Sequence, residues 1–97
     1  MKQGVEICNA IMSILAEDAP TLMCWGATKA IGVNTDGRVG LVIFVDAFKH
    51  RGPVVIYPAE QPRCYEVEVQ DYDRHVLKSV ACIAAESLVE TLARLVD

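Results

Sequence analysis

Three side chains that can bind a metal ion lie within five residues, just after a predicted strand. Asp71, Asp73 and His75 offer carboxylate and imidazole groups, which are ligand types that zinc and other transition metals use. Alternate residues at the start of a helix do not converge, and helix N-capping accounts for both aspartates without a metal. We therefore predict no metal ion and no cofactor.

Positive charge is concentrated at Lys49, His50 and Arg51, which we expect at the tip of a hairpin. Such a group can contact an anion or a phosphate, but charged residues at an exposed loop tip are also common without a ligand. The other Lys and Arg residues are scattered, and the net charge of −4 disfavours binding to a nucleic-acid backbone. We keep the three residues as candidate ligand or anion contacts and do not expect nucleic acid as a partner.

Three carboxylates on predicted strands are weaker candidates for acid–base chemistry. Asp46 interrupts an apolar strand, and a buried carboxylate there could be catalytic. We expect instead that Asp46 reaches water near the strand end or pairs with Lys49. Glu66 and Glu68 share one strand face about 7 Å apart, a separation that also suits a paired acid and base. A solvated strand face explains them more simply, and we predict no catalytic residue.

The four cysteines, Cys8, Cys24, Cys64 and Cys82, lack the close spacings of zinc or thiol–disulfide motifs. No Lys, Arg or His adjoins Cys24 in sequence to make its thiol more reactive, and the neighbouring Trp25 suits a core, interface or ligand contact. We recognise no secretory signal and no apolar run of about 20 residues that could span a bilayer. We expect reduced thiols, a cytoplasmic location and no membrane partner.

The first half of the chain predicts a helix and then an irregular segment. Apolar residues recur three and four positions apart from Gly4 to Asp18, and Pro20 ends this helical region. A short strand near Trp25 is expected within Thr21–Val33, where Gly26 and Gly32 make the strand irregular.

Three clearer strands follow a turn that is rich in Asn, Asp and Gly. Gly40–Phe48 is apolar on both faces, as in a strand that is covered on two sides. Pro53–Tyr57 forms the next strand. Arg63–Gln70 alternates between apolar and polar residues, which is typical of a strand with one face in water.

Asp71–Val96 predicts a second helix of about 35 Å, because Leu77, Ala81, Leu88 and Leu92 form an apolar stripe along it. The fold class is therefore α+β in a single domain, residues 1–97. It comprises an N-terminal helix, an antiparallel meander of three to four strands and a long C-terminal helix.

The stretch GLVIFVDAFKHRGPVVIYPAEQPRCYEVEV carries a recurring pattern of strands. An apolar strand (Leu41–Phe48), a hairpin tip (Lys49–Gly52), a Val/Ile strand (Pro53–Tyr57) and a Tyr-containing strand (Tyr65–Val69) follow one another. In this pattern the chain resembles short uncharacterised proteins encoded on phages and conjugative elements of gut bacteria. The resemblance covers about a third of the chain and implies no activity. It implies an accessory role in a mobile genetic element.

The chain is more apolar than a domain of this length can bury. Hydrophobic residues make up 53% of the 97 residues, whereas so small a domain buries only about 60–65% of its unfolded surface. Surplus apolar surface usually marks an interaction site, and two-fold dimers are the commonest oligomers. We expect both helices on one sheet face and a second copy on the other, although a helix on each face would remove that need. The predicted interface residues are Val42, Phe44, Phe48 and Ile83.

These observations favour a non-enzymatic protein–protein interaction module that forms a homodimer or binds another protein. One alternative is a small-molecule-binding domain or enzyme with a pocket between the sheet and the helices, lined by Trp25, Phe44 and Tyr57. Another is a nucleic-acid accessory protein that uses Lys49, His50 and Arg51.

Overall fold

The computed structural model describes residues 2–17, 26, 29–35, 37–47, 49–58 and 64–96. Within these residues two helices flank five strands, and the strands form one antiparallel sheet in chain order. The elements are α1 (Lys2–Ala16), β1 (Lys29–Thr35), β2 (Arg38–Asp46), β3 (Arg51–Pro58), β4 (Cys64–Gln70), β5 (Val76–Ala84), a 3₁₀ turn (Ala85–Ser87) and α2 (Leu88–Val96).

The predicted α+β class is confirmed, but the sheet has five strands and the long C-terminal helix is wrong. The first part of that predicted helix is β5, which pairs with β4 from Gln70↔Val76 to Cys64↔Ala84. Leu77 belongs to the predicted apolar stripe, yet it is 57% exposed. Pairing with β4 satisfies the backbone hydrogen bonds of this segment, and its β-branched residues Val76, Val80 and Ile83 suit a strand better than a helix.

The segment between β4 and β5 is a hairpin turn that Asp71 organises. Its Oδ1 accepts hydrogen bonds from the backbone N–H groups of Asp73 and His75, each at 2.9 Å. The N–H of Asp71 donates to the carbonyl of His75 at 3.0 Å, and Arg74 adopts a φ of 67°. Aspartate commonly stabilises turns in this way, so Asp71 begins a turn and not a helix.

Both helices pack on the same face of the sheet. Alternate residues of the central strands point toward them, and the buried cluster on this side contains residues of α1, α2 and four strands. Its members are Ile11, Leu15, Leu41, Ile43, Val45, Val54, Ile56, Val67, Ile83, Leu88, Leu92 and Val96. The arrangement with one helix on each face is therefore wrong for the described helices.

The opposite face carries a second, smaller apolar cluster, to which neither described helix contributes. Strand pairing places Val42 of this cluster opposite Val55 on one side and opposite Ile31 on the other. We call this surface the open face and define it by Ile31, Val33, Val42, Phe44, Val55 and Tyr57.

Candidate interaction surface

The basic residues at the β2–β3 hairpin do not form one binding patch. Lys49 lies beside the end of α2, where its N–H donates to the carbonyl of Val96 at 2.8 Å and its Nζ donates to the carbonyl of Arg94 at 3.3 Å. His50 is buried, with its Nε2 3.1 Å from the carbonyl oxygen of Pro53. Lys49 therefore connects the hairpin to the end of α2, and His50 contacts the backbone of the hairpin itself.

Arg51, the third basic residue, is paired on the surface. Its Nε donates to Oδ1 of Asp46 at 2.7 Å, and both side chains are exposed. Asp46 thus reaches water near the strand end, as predicted, but its partner is Arg51 and not Lys49. This ion pair leaves Asp46 as a surface residue at the end of β2 and not as a buried acid.

Asp71, Asp73 and His75 come together in the β4–β5 turn, and their ligand atoms lie within 4.8 Å of one another. The backbone N–H of His75, with a further contribution from that of Asp73, holds the pKa of the Asp71 carboxyl below its ordinary value. The Nδ1 of His75 is 3.3 Å from Oδ2 of Asp71. These bonds are those of a hairpin turn, and they account for the cluster without an ion.

The open face forms the floor of a groove of about 510 Å³. Val42, Val55 and Tyr57 are each less than a tenth exposed, although no described helix covers them. Ile31 is 41% exposed at the β1 margin. The described lining consists of Ile31, Val33, Val42, Phe44, Pro53, Val55, Tyr57, Glu68, Gln70, Tyr72, Arg74 and Val76.

Tyr57 is held on the floor of the groove by its neighbours. A Cβ on Gly40 would lie 2.7 Å from the Tyr57 ring, so the missing side chain of Gly40 makes room for that ring. The guanidinium of Arg38 lies over the ring, 4.2 Å from its centroid, and also pairs with Glu66. The hydrogen bond to Glu66 raises the pKa of Arg38. Arg38 therefore links the apolar floor to the polar residues of β4.

The β4 side of the open face is polar. Glu66 and Glu68 lie opposite Tyr57 and Val55 in the β3–β4 ladder, as expected for residues of one strand face. Glu66 pairs with Arg38, and Glu68 accepts a hydrogen bond from Nε2 of Gln70 at 3.0 Å. With separate partners, the two carboxylates make a polar border to the apolar floor and not an acid–base pair.

The predicted interface residues fall on different faces of the sheet. Val42 and Phe44 are on the open face, where Val42 is 8% exposed and Phe44 is half-buried. Ile83 is 5% exposed in the cluster beneath the helices, so it offers almost no surface to a partner. Phe48 and Trp25 lie outside the described residues. Phe44 and Tyr57 line the groove on the open face, not a pocket between the sheet and the helices.

The contributions of β1 and of the β4–β5 turn to this surface were not predicted from the sequence. Ile31 and Val33 lie on the open face, and Tyr72 and Arg74 line the opposite side of the groove. The alternation of Ile31 and Val33 before the turn that begins at Asn34 is typical of a hairpin strand. That signal was present in the sequence, whereas nothing in the sequence places Tyr72 beside Gly52 of β3.

Comparisons with family models, curated proteins and solved structures find no match to this chain. The resemblance to proteins of phages and conjugative elements therefore stays a prediction. No helix in the described ranges has the length and hydrophobicity needed to cross a membrane. Cys8, Cys64 and Cys82 form no disulfide with one another.

Proposed function

We propose that this chain is a non-enzymatic interaction module that homodimerises through the β1 side of the open face. The observation that carries the proposal is the exposed apolar margin of the open face at β1. The described helices cover the other face, whereas no described helix covers the apolar cluster of the open face, which ends at the exposed Ile31. Apolar surface of this kind usually marks an interaction site.

The distribution of exposure points to the β1 side of the open face. Ile31 is 41% exposed and its neighbour Val33 is half-buried, so both have surface that a partner can cover. The border on β4 is polar, with Glu66 and Glu68. An apolar centre beside a polar rim is the usual anatomy of a protein interface.

A second copy is the partner that we propose. Isologous two-fold dimers are the commonest assemblies of soluble proteins. The formal charge of −4 is modest, so repulsion between two copies is a small opposing term at physiological ionic strength. The basic residues of the β2–β3 hairpin are engaged by Val96, Arg94, Pro53 and Asp46, which does not support a nucleic-acid partner.

The substitution Ile31→Asp tests the proposal, with Leu77→Asp as its matched control. Both residues are exposed aliphatic side chains on edge strands, 41% and 57% exposed, and both variants change the net charge equally. Ile31→Asp brings two carboxylates into a two-fold interface, so we expect sedimentation equilibrium to show association at least about tenfold weaker, or about 1.4 kcal/mol. Leu77→Asp should leave the dissociation constant within about twofold of the unmodified chain. Equal effects of the two variants, or none, would contradict the proposal.

The groove supports a second candidate function, the binding of a small apolar molecule. Its volume of about 510 Å³ lies within the range of ligand pockets, which are typically apolar with a few polar groups. Gln70 and Arg74 supply such groups at one side. The test of this candidate is the mass of the purified protein, because a ligand that remains bound adds its own mass to that of a single chain.

A further inference from the structure

The two edges of the sheet differ in how regular they are. On β5, Leu77 is an extra residue between the pairs Val69↔Lys78 and Gln70↔Val76, and both Ala81 and Cys82 lie opposite Glu66. Cys82 has a φ of 58°. These are two β-bulges, which twist an edge strand and hinder its pairing with another strand. The β5 edge is therefore protected.

Among the described residues, the β1 edge has no such bulge. Its seven residues pair with β2 without a register shift, from Lys29↔Phe44 to Thr35↔Arg38. The strand contains no proline and one charged residue, Lys29. Among the described residues, no backbone hydrogen bond reaches β1 except those of its ladder with β2. An unbroken edge with little charge offers its outward N–H and C=O groups to another strand.

Exposed apolar side chains flank this edge on both faces of the sheet. Ile31 is 41% exposed on the open face. On the other face, a Cβ on Gly32 would lie 3.1 Å from Sγ of Cys8, which places Cys8 over β1. Met12 follows Cys8 by four residues, hence lies on the same side of α1, and is 40% exposed. A partner strand at this edge would be able to cover both.

We infer that the second copy joins at β1, strand to strand and antiparallel, with Gly32 on the two-fold axis. This inference rests on the proposed homodimer and names how its two copies meet. This register, with Gly32 of one copy opposite Gly32 of the other, pairs all seven residues of both β1 strands. Ile31 of each copy then lies opposite Val33 of the other, and such cross-strand apolar pairs stabilise a sheet. Lys29 lies opposite Thr35, so the two lysines stand at opposite ends of the paired strands.

Pairing in this register joins two five-stranded sheets into one sheet of ten strands. The two-fold axis is perpendicular to the sheet, so both open faces lie on one side and the helices of both copies lie on the other. Ile31 and Val33 of the two copies then form a continuous apolar strip between the two grooves.

Hydrogen exchange of the unmodified chain tests the inference, read by NMR at concentrations well below and well above the dissociation constant. Consecutive amides of an edge strand point alternately toward and away from its neighbour, so every second amide of β1 should gain protection of about tenfold or more on association. The amides of β5 serve as the matched control and should exchange at the same rate at both concentrations.

Two results would overturn the inference, and they are distinguishable. If the chain dimerises but the amides of β1 exchange at the same rates in monomer and dimer, the strand-to-strand contact is wrong and the homodimer stands. If the chain remains a monomer at every concentration, the proposed function fails and this inference fails with it.

Discussion

Asp71 shows how one side chain determines the path of the chain between β4 and β5. Its carboxylate accepts the N–H groups of Asp73 and His75, and these bonds favour the charged form and lower its pKa. In the unfolded chain this stabilisation is lost, so the unfolded state binds a proton more readily than the folded state. The resulting contribution to stability is present above about pH 4 and is lost as the pH falls through the pKa of the folded state.

The substitution Asp71→Asn isolates this titration at the residue scale. The amide oxygen can accept both backbone hydrogen bonds but does not ionise, whereas Asp71→Ala removes the acceptor altogether. We expect that, as the pH decreases below about 4, the free energy of unfolding of the unmodified chain decreases relative to that of Asp71→Asn. Urea denaturation at a series of pH values, with an NMR titration of the carboxyl, measures this difference. A carboxyl that titrates at or above its ordinary pKa would contradict the assignment.

Individual charged residues were easy to find in the sequence, but their partners were not. Lys49, His50 and Arg51 were predicted as a group, and the structure gives each a different contact. The Nζ of Lys49 meets a carbonyl 45 positions later in the chain, and local sequence contains no sign of such a contact. By contrast, Glu90 and Arg94 lie four positions apart in α2 and pair at 2.7 Å, because helical geometry alone brings residues at that spacing together.

At the scale of elements, β2, β3 and β4 follow the predicted order. β2 and β3 are short apolar runs bounded by turn residues, and β4 alternates between apolar and polar residues, and both patterns indicate strands. The region of β5 was predicted as a helix because Leu77, Ala81 and Leu88 also have helical spacing. The spacing of apolar residues does not show that this segment pairs with β4. The bulges at Leu77 and at Cys82 further disturb the alternation that would have indicated a strand.

Substitution of two leucines distinguishes a strand followed by a short helix from one continuous helix in this region. Leu92 is fully buried beneath the sheet, and Leu77 is 57% exposed. We expect Leu92→Ala to lower the free energy of unfolding by about 2–5 kcal/mol and Leu77→Ala to change it by no more than about 0.5 kcal/mol. Chemical denaturation of the two variants provides the comparison. Similar losses at both positions would indicate that the two side chains share one buried stripe, as a continuous helix requires.

At the scale of the whole molecule, both described helices pack on one side of the sheet. The excess of apolar residues in the sequence predicted an exposed apolar surface. On the open face the central residues Val42, Val55 and Tyr57 are less than a tenth exposed, and the exposed part is Ile31 at its β1 margin. The prediction missed β1 at this surface although Ile31 and Val33 alternate as in a hairpin strand, because the glycine between them weakened the strand pattern. That glycine lies where Cys8 of α1 approaches the sheet.

The mass of the unmodified chain in solution tests the central claim most directly, that this chain associates with a second copy of itself. Light scattering at tens of micromolar should give twice the 10.6 kDa of a single chain, with dissociation on dilution. A mass of 10.6 kDa at every concentration up to that range would contradict the account.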